Sequence, residues 1–263
     1  MRMMMWNGVD EESRTTMIEI ELIVFDKDGT LVELHAPWGR WAEKVGEALA
    51  ALIPPQQFLS RIGWDTATRR IMPETPLAIA SAATLQAVIA TWLYEAGLGW
   101  TAAMSRATAV TTETAAPLAP PVCALQPLFA TLAARGLKLA VVTSDDRAGV
   151  ERDLGPHGVV HYIDPIIGGD AGLATKPAPD MLLAACVAAG VVPARTMVVG
   201  DSLADMWMGR SAGAALVVGV LSGAGTAAVL VPHADMVLPS VAELVTLIAA
   251  GKQGPNQAPA NKS

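Results

Sequence analysis

Apolar residues recur along this chain in two rhythms, and the change between them divides it. Residues 20–25 form a short apolar run rich in β-branched side chains, interrupted only by Glu21, which predicts a buried strand. From Glu33 to Pro117 the apolar positions return at helical spacing and no convincing strand appears. Helices are predicted over 38–52, ended by Pro54-Pro55, over part or all of 58–71 as one or two pieces, over 77–94, and over 100–113. The proline-rich stretch 116–121 reads as a stiff linker. After it, short apolar strands alternate with helices. Strands are expected at 138–143, 165–167, 196–199, 215–218 and 236–238, and helices at 125–135, 147–154, 179–189, 203–212 and 241–250. Alternation of this kind predicts an α/β fold, a Rossmann-like doubly wound parallel sheet, here interrupted by an inserted all-α segment.

In such a sheet ligands sit beyond the carboxyl ends of the strands, so the residues standing there carry the most information. The first strand delivers Asp26 and Asp28 into a glycine-containing turn. Two carboxylates at the end of a buried strand predict a cation, a shared proton, or both, because an unpaired buried charge is costly. The strand at 138–143 ends in Thr143 and Ser144, whose hydroxyls and backbone N–H groups suit an anion. Lys176-Pro177 follows the strand at 165–167, and Gly200-Asp201-Ser202-Leu203-Ala204-Asp205 follows the one at 196–199. Taken singly, each has a plain structural use: a turn, a helix cap, a solvated lysine, or a first-turn acid. Together they place acids, hydroxyls and one lysine at four strand ends of one chain.

Composition narrows the ligand. The formal net charge of −7 argues against sequence-independent binding to nucleic acid or to an anionic membrane, which runs on an excess of Lys and Arg. A small molecule is the expected partner. Mean hydropathy is +0.40, yet neither 77–94 nor 216–231 gives the roughly 20 unbroken apolar residues of a membrane span. Residues 1–17 have no apolar core of a secretory signal and read as a loose extension, with Met17 as an alternative start; 252–263 read as a disordered tail. Cys123 and Cys186 lie far apart among apolar neighbours and read as buried thiols of a reducing, cytoplasmic compartment.

Asp26-Lys27-Asp28-Gly29-Thr30, Thr143-Ser144, Lys176-Pro177 and Gly200-Asp201-Ser202-Leu203-Ala204-Asp205 resemble, in order, the four motifs of the haloacid dehalogenase superfamily. The likeness is greatest to its phosphatases with a helical cap after the first motif, the group that includes phosphoglycolate phosphatase. The resemblance implies a hydrolase core at 18–32 and 118–251 and a helical cap at 33–117. It implies a magnesium-dependent phosphomonoesterase, with Asp26 as nucleophile and Asp28 as general acid and base. Thr143, Ser144 and Lys176 would hold the phosphoryl group, and Asp26, Asp28 through its backbone carbonyl, Asp201 and Asp205 would hold Mg²⁺ directly or through a neighbour. Asp28 sets the chain apart from dehalogenases, which lack a second acid there, and from cation-pumping ATPases, whose Asp-Lys-Thr-Gly-Thr the Lys27 echoes. A phosphomutase or phosphotransferase of the same superfamily, and a catalytically silent binding protein on this scaffold, are the alternatives. The implied partner is a small phosphate ester, with the protein a monomer or homodimer. Substrate contacts are sought on the cap at His35, Trp38, Arg40, Arg61, Trp64, Arg69 and Arg70, an arginine suiting a substrate carboxylate.

Overall fold

The computed structural model describes residues 3–5, 18–114 and 118–250. In chain order these form β1 (Met3–Met5), β2 (Ile18–Ile20), β3 (Leu22–Phe25), α1 (His35–Ala48), α2 (Pro55–Ile62), β4 (Trp64–Asp65), β5 (Arg70–Ile71), α3 (Pro76–Ile79), α4 (Ala82–Glu95) and α5 (Trp100–Glu113). There follow α6 (Leu125–Ala133), β6 (Lys138–Val142), α7 (Arg147–Leu154), β7 (Ile163–Ile167), α8 (Asp180–Ala189), β8 (Thr196–Gly200) and α9 (Leu203–Ala212). The last elements are β9 (Leu216–Val220), α10 (Ala227–Leu230), β10 (Met236–Leu238) and α11 (Leu244–Ala250).

The main sheet has six strands in the order β10-β9-β8-β3-β6-β7, and every pair is parallel. The chain runs from β3 outward through β6 to β7, then returns to the other side of β3 at β8 and continues to β10. The order therefore reverses at β3 and β8, and the crevice beyond their carboxyl ends is the natural ligand position. Strand β3 is buried throughout because both faces are covered. Ile23 and Phe25 pack into one apolar cluster with Leu128 and Phe129 of α6, while Leu22 and Val24 pack into another with Met181 and Leu182 of α8. This is why the run reads as continuously apolar instead of alternating.

The segment between β3 and α6 has its own core. Trp41 and Val45 of α1, Phe58 and Ile62 of α2, Ile89 and Leu93 of α4, and Ala103 and Ala107 of α5 form one cluster, which Ala224 of the sheet portion joins. Helix α2 starts at a proline and stops at Gly63, whose φ of +98° suits a residue without Cβ. The chain enters and leaves this segment side by side. The Glu33 N–H donates to the Pro120 carbonyl at 2.8 Å and the Val122 N–H to the Leu31 carbonyl at 3.0 Å.

Three differences from the sequence expectation stand out. The helical segment contains a two-residue antiparallel hairpin, β4 with β5, where 58–71 suggested helix alone; two-residue strands are too short to show a period. Met3–Met5 pair antiparallel with Ile18–Ile20, so this part of the expected loose extension is a strand, the rest of 1–17 lying outside the described residues. Residues 77–94 are two helices, α3 and α4, broken before Ser81, which caps α4 through the Thr84 N–H. The expected tail at 252–263 and part of the linker, 115–117, also lie outside the described residues. Cys186 is buried and Cys123 half-buried, both free. Among the described residues no helix is long and apolar enough to cross a membrane.

Candidate active site

Sheet geometry brings four distant strand ends to one place. Asp26 follows β3, and its backbone N–H continues the ladder by donating to the Val199 carbonyl of β8 at 2.9 Å. Asp201 follows β8, and Thr143 and Ser144 follow β6. Lys176 arrives from the loop before α8, its Nζ donating to Asp26 Oδ1 at 2.7 Å and to Asp205 Oδ1 at 2.6 Å. Asp205 Oδ2 accepts from the Ser202 backbone N–H at 3.1 Å and the Ser202 hydroxyl at 2.6 Å, while Ser202 caps α9 through the Asp205 N–H. Asp205 is thus committed on both oxygens: one closes the capping box of α9, and the other orients Lys176.

Asp26, Asp201 and Asp205 each present a ligand oxygen within 4.8 Å of the others, and all three are buried. Burial, only partly offset by the Lys176 ammonium, pushes the Asp26 carboxyl up to about 6. Burial and the neighbouring Asp26 and Asp205 charges hold Asp201 well above the usual carboxylate range. Burial works against the charged form of Lys176, but Asp205 and Asp26 outweigh it and raise its pKa. Three carboxylates against one ammonium leave a deficit of positive charge, and the donors are all oxygen. The set fits a small hard divalent cation such as Mg²⁺.

Residues 221–225, after β9, shape the other side of the cluster. The Ala224 N–H donates to Asp201 Oδ2 at 2.7 Å, and the Gly225 N–H to the Asp201 carbonyl at 2.9 Å. A Cβ on Gly223 would lie 1.9 Å from Asp201 Oδ2, and one on Gly29, whose φ is +83°, would lie 2.6 Å from the same atom. Only glycine fits at either position, because the backbone must touch the carboxylate. This loop escaped the sequence reading, although it too follows a strand of the parallel sheet and carries two glycines, Gly223 and Gly225.

Asp28 is aimed separately from Asp26. Its Oδ1 accepts from Trp38 Nε1 of α1 at 3.0 Å, and its Oδ2 lies 3.0 Å from Lys27 Nζ. Lys27, which the sequence left without a task, is fully buried and also contacts Asp145 at 2.8 Å and Asp153 of α7 at 2.6 Å. Desolvation opposes its charge, yet Asp28, Asp145 and Asp153 together hold its pKa above the ordinary lysine value. Lys27 lies in the turn after β3 between two aspartates, so no apolar period marked it as buried.

Of the cap candidates, Trp38 alone lines the cavity above Asp26, a space of about 440 Å³. His35 holds two backbone groups instead: its Nδ1 accepts from the Ile71 N–H at 3.1 Å and its Nε2 meets the Gly223 carbonyl at 3.1 Å. Arg70 reaches the same carbonyl at 3.3 Å. Arg61 pairs with Glu95 at 2.8 Å, Arg69 lies 3.6 Å from Glu43, Trp64 donates to Glu43 at 3.1 Å, and Arg40 is exposed. None of the four cap arginines expected for a substrate carboxylate, Arg40, Arg61, Arg69 and Arg70, lines the cavity. Ser144 and Thr143 do line it, and the Ser144 hydroxyl donates to the Ile79 carbonyl of the cap at 3.3 Å.

Residues 20–213 match the family of haloacid dehalogenase-like hydrolases. The chain belongs to that family. Among its haloacid dehalogenase-like relatives are phosphoglycolate phosphatases of Pasteurella multocida, 36% identical over 87 residues, and of Haemophilus influenzae, 33% identical over 119 residues. These matches cover 33% and 45% of this chain and 39% and 53% of the relatives, so the chain spans about half their length or less. The fold is similar to the crystal structure of a "predicted phosphoglycolate phosphatase" from Haemophilus somnus, with a TM-score of 0.68 at 21% identity, covering 87% of this chain and 97% of that one.

Proposed function

We propose that this haloacid dehalogenase-like hydrolase is a cytoplasmic phosphatase that cleaves small phosphomonoesters through an aspartyl phosphate. The observation that carries the reading is the Lys176 ammonium bridging Asp26 and Asp205 beside Asp201, at the switch point of the sheet. Asp26, Asp201 and the backbone carbonyl of Asp28 would hold Mg²⁺, with Asp205 anchoring the cluster through Ser202 and Lys176. The bound cation would neutralise the repulsion between the carboxylates and the incoming phosphate.

With Asp26 Oδ1 held by Lys176, Oδ2 is the oxygen available to attack phosphorus. The phosphorus–oxygen bond to the leaving group breaks as the aspartyl phosphate forms, and Asp28 gives its proton to the departing alkoxide. In the second half Asp28 takes a proton from water, the water oxygen joins phosphorus, and the Asp26 carboxylate is released with inorganic phosphate. Lys176, the Thr143 hydroxyl and backbone N–H groups around Ser144 are suited to the phosphoryl oxygens, whose charge must be balanced during transfer. Trp38 and Lys27 hold Asp28 apart from Asp26, so one carboxylate is free for attack while the other handles protons.

The test is Asp26→Asn. The variant is expected to stay folded and to lose at least about 10³-fold of its Mg²⁺-dependent phosphate release from p-nitrophenyl phosphate, the scale on which a missing nucleophile acts. Retained turnover in the folded variant would remove Asp26 from the nucleophile role. Appearance of isomerised hexose phosphate without free phosphate would favour the mutase alternative.

A further inference from the structure

The cavity wall gives more than a reaction type. We infer that the site takes phosphate esters of uncharged, partly apolar alcohols that carry a hydroxyl group, and discriminates against leaving groups bearing a carboxylate. This deepens the phosphatase reading above and rests on it.

The cavity has two walls beyond the phosphate end. One is apolar, formed by Leu34, Trp38, Trp41, Leu77, Ile79 and Leu85. The other presents Gln86 of α4 with Thr111 and Thr112 of α5. The threonine hydroxyls have already used their protons. Thr111 Oγ1 donates to the Ala107 carbonyl at 2.9 Å and Thr112 Oγ1 to the Thr108 carbonyl at 2.8 Å, within their own helix. Gln86 Nε2 in turn donates to Thr111 Oγ1 at 3.1 Å. What Thr111 and Thr112 offer a ligand is acceptor oxygen. An alcohol O–H can donate to them, whereas a carboxylate, which only accepts, cannot.

Charge points the same way. Among the described residues the cavity is lined by two cations, Lys176 and Arg152. Lys176 is held between Asp26 and Asp205, and belongs to the phosphate end. Arg152 is bound twice to Asp153, at 2.9 Å each, and lies 3.9 Å from Asp145. Asp145 and Asp146 add negative charge at the same rim. A substrate carboxylate would lose its water in a space with no unpaired cation to receive it. An alkyl or hydroxyalkyl group instead covers Trp38, Trp41 and Leu85, gaining apolar burial.

The experiment compares two esters that differ at one group, 2-hydroxyethyl phosphate and 2-phosphoglycolate, with the full chain and Mg²⁺, and p-nitrophenyl phosphate as a general substrate. The hydroxyethyl ester is expected to have the higher kcat/KM by at least about tenfold, since the site leaves a carboxylate unpaired. Equal or better turnover of 2-phosphoglycolate, with p-nitrophenyl phosphate also cleaved, overturns the inference and leaves the phosphatase reading standing. No phosphate from any of the three overturns the phosphatase reading itself, and this inference with it. Gln86→Arg places a cation in the polar wall and is expected to shift the ratio of the two kcat/KM values toward 2-phosphoglycolate by about tenfold. Thr112→Arg, on a more exposed position, does the same if the first variant misfolds. An unchanged ratio in a folded, active variant shows that this wall does not select the leaving group.

Discussion

Lys27→Met tests whether the buried ammonium beneath the site is a structural counter-charge. Methionine keeps an unbranched chain of similar length and removes only the charge and its three donors. In the native fold Lys27 Nζ lies within 3.0 Å of Asp28, Asp145 and Asp153, and both Lys27 and Asp153 are shielded from water. Removing one partner of such a set leaves the others buried without compensation, which costs about 3–5 kcal/mol. Arg152 keeps its two bonds to Asp153, so the loss should fall near the lower end, about 3 kcal/mol. For a chain of this size that corresponds to a fall in Tm of about 6–12 °C. Urea unfolding at pH 7 reads the free energy directly, and the difference should shrink in acid. Burial tends to raise the Asp153 pKa, but Arg152 and Lys27 hold it below the usual range. The native ion set therefore stabilises the fold above the carboxylate range and loses that contribution as pH falls through it. A double variant, Lys27→Met with Asp145→Asn, should recover part of the loss. A single variant within about 1 kcal/mol of the native protein would refute the reasoning, because it would show that the carboxylates find water or protons at little cost.

Other perturbations read separate parts of the site. Asp28→Asn should slow cleavage of alkyl phosphates far more than of aryl phosphates, whose leaving groups need less protonation; equal losses on both remove Asp28 from the acid role. Gly223→Ala forces the Asp201 carboxylate to move, since the new Cβ would lie 1.9 Å from its Oδ2. It should weaken apparent Mg²⁺ affinity by about 10–100-fold in a Mg²⁺ titration of activity, and an unchanged titration would show that Asp201 is not a ligand. His35 is held neutral: burial and the Arg70 charge lower its pKa to about 4, and its Nδ1 is needed as an acceptor for the Ile71 N–H. The unfolded chain takes up a proton below about 6.5 while the fold does not, so the His35 contribution to stability is complete above that pH and is lost between about 6.5 and 4. His35→Gln should flatten the Tm profile in that window, and a slope identical to that of the native protein would exclude His35 as its source.

How much of this was legible beforehand depended on whether a residue's partner was set by the sheet or by side chains alone. Asp26, Thr143 and Asp201 could be grouped because each sits at the end of an apolar run, and parallel strands bring their carboxyl ends together whatever the loops do; Lys176, in the loop between β7 and α8, could be grouped only through the motif it resembles. Lys27 could not, because its carboxylate partners, Asp145 and Asp153, come from the turn after β6 and from the body of α7, and nothing periodic marks them. The cap arginines misled for a related reason. Helical spacing says which positions share a face, but it does not say which face meets the cavity, and Arg61, Arg69 and Arg70 were taken by Glu95, Glu43 and the Gly223 carbonyl. The hairpin of Trp64–Asp65 with Arg70–Ile71 was hidden by its length.

The paired crossing at Glu33–Pro120 and Leu31–Val122 means that the sheet is joined to its insertion by two adjoining strands of backbone and little else in sequence. To the sheet, the whole helical excursion is a long loop whose ends already touch. Its contents can therefore be exchanged without altering the strand order that assembles Asp26 and Asp201. A replacement must still fit the sheet portion where the two meet through side chains: at Asp28, held by Trp38, at Ser144, which reaches the Ile79 carbonyl, and at the Gly223 carbonyl, gripped by His35 and Arg70.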